Sequence, residues 1–352
     1  MVPRRRAFYA LNLAAERVGQ AAKAIPTSGQ PRCALRRKGL LPRCLNWLSS
    51  LLLITAFGSV AEEGGIGHYH PGQTADLTST LPGYPAFAYQ NLVFHYEGDA
   101  GPNRQIPVNG FVTINLKGNA YTDFSVLLWE TPLEVLGGHY TVFGAIPYTW
   151  VTASADGLVG GGTVHVHSTA QGLGDIYFAP AAISWTNGGF KWDARFGFYA
   201  PTGDFDETRL ANPGLGHWTF EPELTFDWRS RHGTEVGVFV ALNFNTENPD
   251  TDYTAGTVFH IDATLAQHLP LWGGAIGAGA NGYWYRQFTG DHGSGAILSG
   301  IQTEQLGVGP VVSYLRKFGE TTFAIDARWL PQLHVEDTMK GDYFWLKLTL
   351  VF

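Results

Sequence analysis

Trp218-Thr-Phe-Glu-Pro-Glu-Leu-Thr-Phe-Asp-Trp228 is the stretch that decides the fold. Glu221, Glu223, Thr225 and Asp227 occupy alternate positions, and Trp218, Phe220, Pro222, Leu224, Phe226 and Trp228 occupy the others. A period of two is that of a β-strand with one wet and one greasy face. Trp218 and Trp228 share the greasy face, so at about 3.3 Å per residue they stand roughly 33 Å apart along the strand. A strand tilt of about 40° makes that roughly 25 Å of height, which matches the apolar band between the two aromatic girdles of an outer-membrane barrel. Pro222 lacks an N–H, so one ladder bond there is lost to a bulge or to water.

The pattern recurs on both sides of this stretch. In 190–200, Lys191, Asp193 and Arg195 stand opposite Phe190, Trp192, Ala194, Phe196 and Phe198. His260 and Asp262 share the polar face of another segment. Near the end, Asp326, Arg328 and Lys347 stand opposite Phe323, Ile325, Trp329, Phe344, Leu346, Leu348 and Leu350. About twelve strands are expected, near 86–98, 109–130, 138–152, 173–185, 189–200, 217–229, 234–245, 256–268, 273–288, 302–316, 320–332 and 342–352. Slipping one strand by one residue would turn its charges into lipid, at about 2–4 kcal/mol for each Lys or Arg near the midplane.

Alternation alone also fits a soluble sandwich, whose greasy face would be its core. The connections separate the two. Short ones at 186–189, 231–233, 269–273 and 317–319 alternate with long ones at 153–172, 201–216, 246–255 and 289–300. Short turns on one side and long loops on the other are the asymmetry of outer-membrane barrels, with the short turns periplasmic. The sequence therefore reads as an all-β protein, a transmembrane antiparallel β-barrel of about twelve strands with periplasmic termini.

The first sixty-one residues differ from the rest. They hold ten Lys and Arg and a single acid, Glu16, whereas the following 291 residues carry a formal charge of −16. Arg36, Arg37, Lys38 and Arg43 precede an apolar run from Leu48 to Phe57 and then Gly58-Ser59-Val60-Ala61. That order is the n-region, h-region and small-residue cleavage site of a signal peptide, in a run too short for a good spanning helix. A retained anchor and a buried helix are the alternatives. The expected organisation is a basic extension and cleaved signal over 1–61, an irregular periplasmic or lumen lead-in over 62–85, and a barrel over 86–352. The lead-in carries Pro71-Gly72 and Pro82-Gly83.

Composition removes several classes of function. Both cysteines, Cys33 and Cys44, fall before the cleavage site, so the mature chain has no thiol for a disulfide, a zinc site or nucleophilic catalysis. The acidic balance makes nucleic acid a poor partner. Gly277-Ala-Gly-Ala-Asn-Gly282 satisfies G-x-G-x-x-G, but Tyr283-Trp284-Tyr285 continues a strand where a dinucleotide site needs a helix. His165 with His167, and His68 with His70, are the candidate metal pairs; neither shows a third ligand at a suggestive spacing, so no metal and no cofactor is expected. His260 and Asp262 lack a nearby Ser, with Thr264 the closest hydroxyl on that face, and no G-x-S-x-G occurs.

The candidate functional residues are the inward groups Asp193, Arg195, Glu221, Glu223, Asp227, His260, Asp262, Asp326, Arg328 and Lys347. They form either a pairing network that fills or stiffens the barrel, or a channel lining with selectivity. Trp218, Trp228, Trp329 and Phe352 are the candidate membrane-interface aromatics.

Gly172-Leu-Gly-Asp175, Tyr199-Ala-Pro-Thr-Gly-Asp204, Asn212-Pro-Gly-Leu-Gly216 and Leu306-Gly-Val-Gly-Pro310, with a last strand ending in Phe352, resemble the outer-membrane proteins named for the meta-pathway of phenol degradation. The resemblance runs from about Tyr84 to the C-terminus. It implies a β-barrel and a role in uptake of aromatic or other hydrophobic compounds, and the final aromatic residue resembles the signal read by the barrel-assembly machinery. The leading expectation is a non-enzymatic outer-membrane channel for small apolar or aromatic solutes, with lipid and the assembly machinery as partners. The alternatives are a closed structural or adhesive barrel and, further off, a membrane-embedded hydrolase.

Overall fold

The computed structural model describes residues 66–75, 84–102, 104–108, 111–159, 162–298 and 302–352. The signal segment, the basic extension and the remainder of the lead-in lie outside the described residues.

Among the described residues, fourteen strands form one antiparallel sheet: β1 (Ala86–Asp99), β2 (Ile106–Val108), β3 (Phe111–Val135), β4 (Gly138–Val159), β5 (Gly162–Leu173), β6 (Ile176–Asn187), β7 (Phe190–Ala200), β8 (Thr219–Arg229), β9 (Thr234–Asn245), β10 (Val258–Leu271), β11 (Gly274–Gln287), β12 (Glu304–Phe318), β13 (Thr321–Glu336) and β14 (Lys340–Val351). Each strand pairs with its neighbours around a ring that β1 closes against β14, from Ala88↔Val351 to Asp99↔Lys340. Only β2 and β5 stand outside that ring, since β2 pairs with β3 alone and β5 with β4 alone, which leaves a closed barrel of twelve strands. Closure removes the free sheet edges that an open sheet would have to hide in lipid.

Turn chemistry defines the two rims. β3 to β4, β6 to β7, β8 to β9, β10 to β11 and β12 to β13 turn through Gly137, Gly188, Gly233, Gly273 and Gly319, all at positive φ. Leu136 and Trp272 precede two of these glycines and also have positive φ, as a two-residue type I′ hairpin demands. The opposite rim carries 201–218, 246–257, 288–303 and the β4–β5 hairpin.

That hairpin departs from the sequence expectation. Residues 153–172 were expected as a loop, but β4 continues to Val159 and returns as β5, paired from Tyr148↔Leu173 to Val159↔Gly162. Thr152, Val164, Val166 and Thr169 are β-branched and sustain a ladder. The β8–β9 ladder skips Glu221 and Pro222, resuming at Glu223↔Ala241 after Phe220↔Phe244. The missing Pro N–H is accommodated at this gap.

Outward residues such as Leu127, Trp129, Ile146, Leu224, Leu265, Val312 and Leu346 are exposed and apolar, which forms a lipid-facing band. The inward face differs around the ring. On β1 and β3 it is Leu92, Phe94, Tyr96, Leu116, Phe124 and Val126, all buried, whereas on β7 to β10 it is largely polar and charged.

Candidate functional site

Residues 66–75 lie inside the barrel. Tyr69 stacks on His260 with ring centroids 3.7 Å apart and donates its hydroxyl to Asp262. The same carboxylate accepts from Thr74 Oγ1 at 3.0 Å, Thr74 N at 3.2 Å and Gly72 N at 3.4 Å. Trp345 Nε1 donates to the Pro71 carbonyl at 3.1 Å, Arg328 to the Gly72 carbonyl, and Thr264 Oγ1 to the Ala75 carbonyl. A buried irregular segment must find partners for its backbone groups, and here inward side chains of β10, β13 and β14 supply them. Gly72 has φ +83°, and a Cβ there would overlap Leu330 Cδ1. Burial and the adjoining Asp262 carboxylate push the Tyr69 hydroxyl well above its ordinary pKa, so it stays a proton donor.

The other inward charges meet one another. Arg195 Nε lies 2.7 Å from Asp193 and 3.5 Å from Glu223, and Arg195 Nη2 donates to Thr225 at 3.1 Å. Glu223 also accepts from Tyr177. Glu221 accepts from Asn243 and lies 3.3 Å from His260 Nε2. Asp326 lies 3.2 Å from Arg328 Nε, and Lys347 faces Asp326 in register. Asp227 is opposite Lys191 near the short-turn rim. Glu130, bonded by Ser184 at 3.0 Å, and Glu235, 2.8 Å from His268 and also paired with Arg229, complete the inward charges of that half. Sequence reasoning missed these last two, although each keeps the parity of its strand's inward residues.

Trp218, Trp329 and Phe352 are exposed on the outer face. Trp228 is half-buried there, 6.2 Å from Phe190. Trp329 stacks on Phe344 and donates to Asp342 at 3.2 Å. Phe352 exchanges backbone hydrogen bonds with Phe87, which ties the last residue to the first strand.

At the loop rim, three of the glycine-rich motifs converge on one carboxylate. Asp175 accepts from Gly203 N at 2.8 Å and Leu215 N at 2.7 Å, and faces His68 Nε2 at 2.9 Å. Gly203 and Gly214 touch so closely that a Cβ on Gly203 would stand 2.6 Å from Gly214 Cα. His68 stacks on Tyr199 at 4.9 Å and bonds Thr219 Oγ1 at 2.7 Å. Burial raises the Asp175 pKa, but His68 and the two backbone donors outweigh it and hold the carboxyl below its ordinary range. Thr219, His68 and Asp175 follow the order of a hydrolytic triad, but Thr219 donates to Asn245 Oδ1 at 2.6 Å, so its proton is not His68's to take. The arrangement acts as a latch between the loops and the inserted segment.

The candidate metal pairs are not brought together as ligands. His68 joins this latch, while His70 stacks on Phe94 at 4.7 Å. His165 sits on β5 with Nδ1 2.9 Å from Asp156. Glu304, His334 and Glu336 bring possible ligand atoms within 4.8 Å of one another, but Glu304 is engaged by Trp284 Nε1 at 2.8 Å and Arg286 at 3.3 Å. The G-x-G-x-x-G run lies wholly within β11. His260, Asp262 and Thr264, weighed for hydrolysis, all turn to the inserted segment or to Glu221.

Between the inserted segment and the loops lie two adjoining hollows of about 90 and 100 Å³. The upper one is walled by Leu116, Val151, Phe205, Leu210 and Met339. The lower one is walled by Phe94, Phe124, Pro147 and Val151, with His70 and Thr149 among its polar groups. Ile66, Gly67, Ala120, Val151, Asn212 and Leu215 line both. For scale, an apolar cavity of about 150 Å³ holds one benzene.

A closed antiparallel barrel with a lipid-facing apolar band and inward charges defines an outer-membrane β-barrel of Gram-negative type. Residues 103–348 match the family described as "Putative MetA-pathway of phenol degradation", and the chain belongs to that family. Its fold is similar to the crystal structure of an outer membrane channel from Pseudomonas putida F1, at 15% identity and TM-score 0.56, with 81% of this chain and 100% of that one covered. The β domain of the Bordetella autotransporter BrkA aligns at 16% identity and TM-score 0.44, over 75% of this chain and 98% of that one. No curated protein matches the chain.

Proposed function

We propose that the protein passes small apolar or aromatic solutes passively across the outer membrane, with residues 66–75 as a plug. The observation that carries this reading is an apolar chamber inside a barrel whose interior would ordinarily be polar throughout. The chamber lies at the extracellular end, under the long loops, and its floor is the inserted segment itself. Solute entering from outside meets Leu116, Val151, Leu210 and Met339 first, then Phe94 and Phe124. The family's description and the Pseudomonas protein of similar fold, an outer membrane channel, agree with this reading.

The inward charges have a structural part in it. Asp262 and Arg328 hold the plug, while Asp193, Arg195 and Glu223 pair beside it. Transport rather than a merely closed barrel is tested with the mature protein in liposomes, timing entry of toluene, phenol and a small sugar. Entry of the aromatic solutes faster than into empty liposomes supports the reading. No excess permeability for any solute overturns it. Removing residues 66–75 should add permeability to the sugar, because the charged half of the lumen would then be open to water.

A further inference from the structure

His70 is the odd group in the chamber. It is carried by the plug, lines the lower hollow, lies flat on Phe94 at 4.7 Å and has Phe124 edge-on at 6.1 Å. Its ring nitrogens have no hydrogen-bond partner among the described residues, and its backbone carbonyl accepts from Gln73 N at 3.0 Å. Most other plug groups are matched: His68 has Asp175 and Thr219, Tyr69 has Asp262, and the carbonyls of Pro71, Gly72 and Ala75 each have a donor. Gln73 Oε1 also lacks a partner among the described residues, but Gln73 lines neither hollow. Burial, with His68 nearby, pushes the His70 pKa down to about 4, so the ring is neutral near pH 7.

A neutral imidazole presents one N–H donor and one bare acceptor. In an apolar hollow such a pair is left for whatever enters. A hydroxyl both donates and accepts, so it satisfies whichever nitrogen faces it, in either tautomer. A carboxylate only accepts, and would bring a charge into a site whose walls are Phe94, Phe124, Pro147 and Val151.

Resting on the chamber reading above, we propose that His70 is a specificity-determining residue, and that the preferred occupant of the two adjoining hollows is a small aromatic ring bearing a hydroxyl, with its hydroxyl end in the lower one. The ring lies against Phe124 and Val151 while the hydroxyl bonds the imidazole. A neutral hydrogen bond of this kind is worth about three- to tenfold in affinity. A site left with an unpaired group discriminates against the ligand that lacks the matching one.

The test uses the mature protein in lipid nanodiscs, with binding of 4-fluorophenol and 4-fluorotoluene followed by fluorine NMR after subtraction of protein-free nanodiscs. The wild type is expected to favour the phenol by about three- to tenfold. His70→Phe keeps a flat ring against Phe94 but has no polar atom, so the preference should collapse to near unity with fluorotoluene binding retained. His70→Gln, which regains a donor and an acceptor, should restore part of it. A gel-mobility shift on boiling checks that each variant is a folded barrel. Equal affinities in the wild type, or an unchanged preference in His70→Phe, overturns the role of His70 and leaves the channel reading standing. Absence of specific binding by both probes overturns the chamber reading and this inference with it.

Discussion

At the scale of single residues, two carboxylates hold the same plug from different ends. Asp262 accepts from Tyr69, Gly72 and Thr74, so Asp262→Ala strands several donors at once. A buried donor without an acceptor costs about 1–3 kcal/mol, against about 5–15 kcal/mol for the stability of a whole domain. The barrel should survive and the plug should loosen. Amide exchange at 69–75 is expected to rise by at least about tenfold, with the β-strand amides unchanged. Asp175→Ala cuts His68 and the amides of Gly203 and Leu215. Its increase should appear in loop 201–216 and at His68, and not at 72–75. Equal loosening of the whole plug by both variants would show that the two contacts are not separate.

At the scale of elements, the plug fits because one position has no side chain. Gly72 needs φ +83° and leaves no room for a Cβ beside Leu330. Gly72→Ala should therefore raise sugar permeability in liposomes, and Leu330→Ala in the same chain should restore only part of the seal, because the overlap is relieved while the positive φ still disfavours Ala. Full restoration would mean that crowding alone sets the fit. The strands that receive the plug were legible in the sequence. The alternation in 218–228 and the Gly-marked turns fix face, register and rim. The lead-in was legible only as an irregular segment of periplasm or lumen; its contacts were not, since 66–75 has no periodicity and its partners are 107 to 274 positions away, at Asp175 and Trp345. The β4–β5 hairpin was misread as a loop because the sequence run Gly160-Gly161-Gly162, with Gly157 before it, breaks the strand pattern, although the β-branched residues on either side sustain the ladder. The inward charges could be named from parity, but nothing in parity says that Asp262 binds Tyr69 while Arg195 binds Asp193.

At the scale of the whole molecule, the lumen is divided lengthwise and across. The β1–β3 wall is aliphatic and aromatic, the β7–β10 wall is charged, and the plug runs between them with His70 toward the first and Tyr69 toward the second. Docking places two titratable rings where charge is disfavoured. Burial holds His70 to about 4 and His217 to about 3, each with His68 nearby and His217 also facing Asp175 and Asn245. The ordinary value of 6.5 returns if the segment is released. Between these values the released state binds protons that the docked state refuses, so docking is at full strength above about pH 6.5 and weakens as pH falls toward 4. Asp175 has the opposite dependence on burial and partner: its contribution persists above its ordinary 3.8 and is lost only below that. Acidification to about pH 4.5 therefore acts through the histidines while the His68–Asp175 contact persists, and two units of displacement at His70 alone amount to about 2–3 kcal/mol. Liposome permeability to a small sugar should accordingly rise several-fold between about pH 7 and pH 4.5, and His70→Phe should remove part of the rise, leaving the share that His217 contributes. A flat profile in the wild type would place plug release under the control of the mid-barrel contacts at Asp262 and Arg328, since those bonds do not depend on either ring.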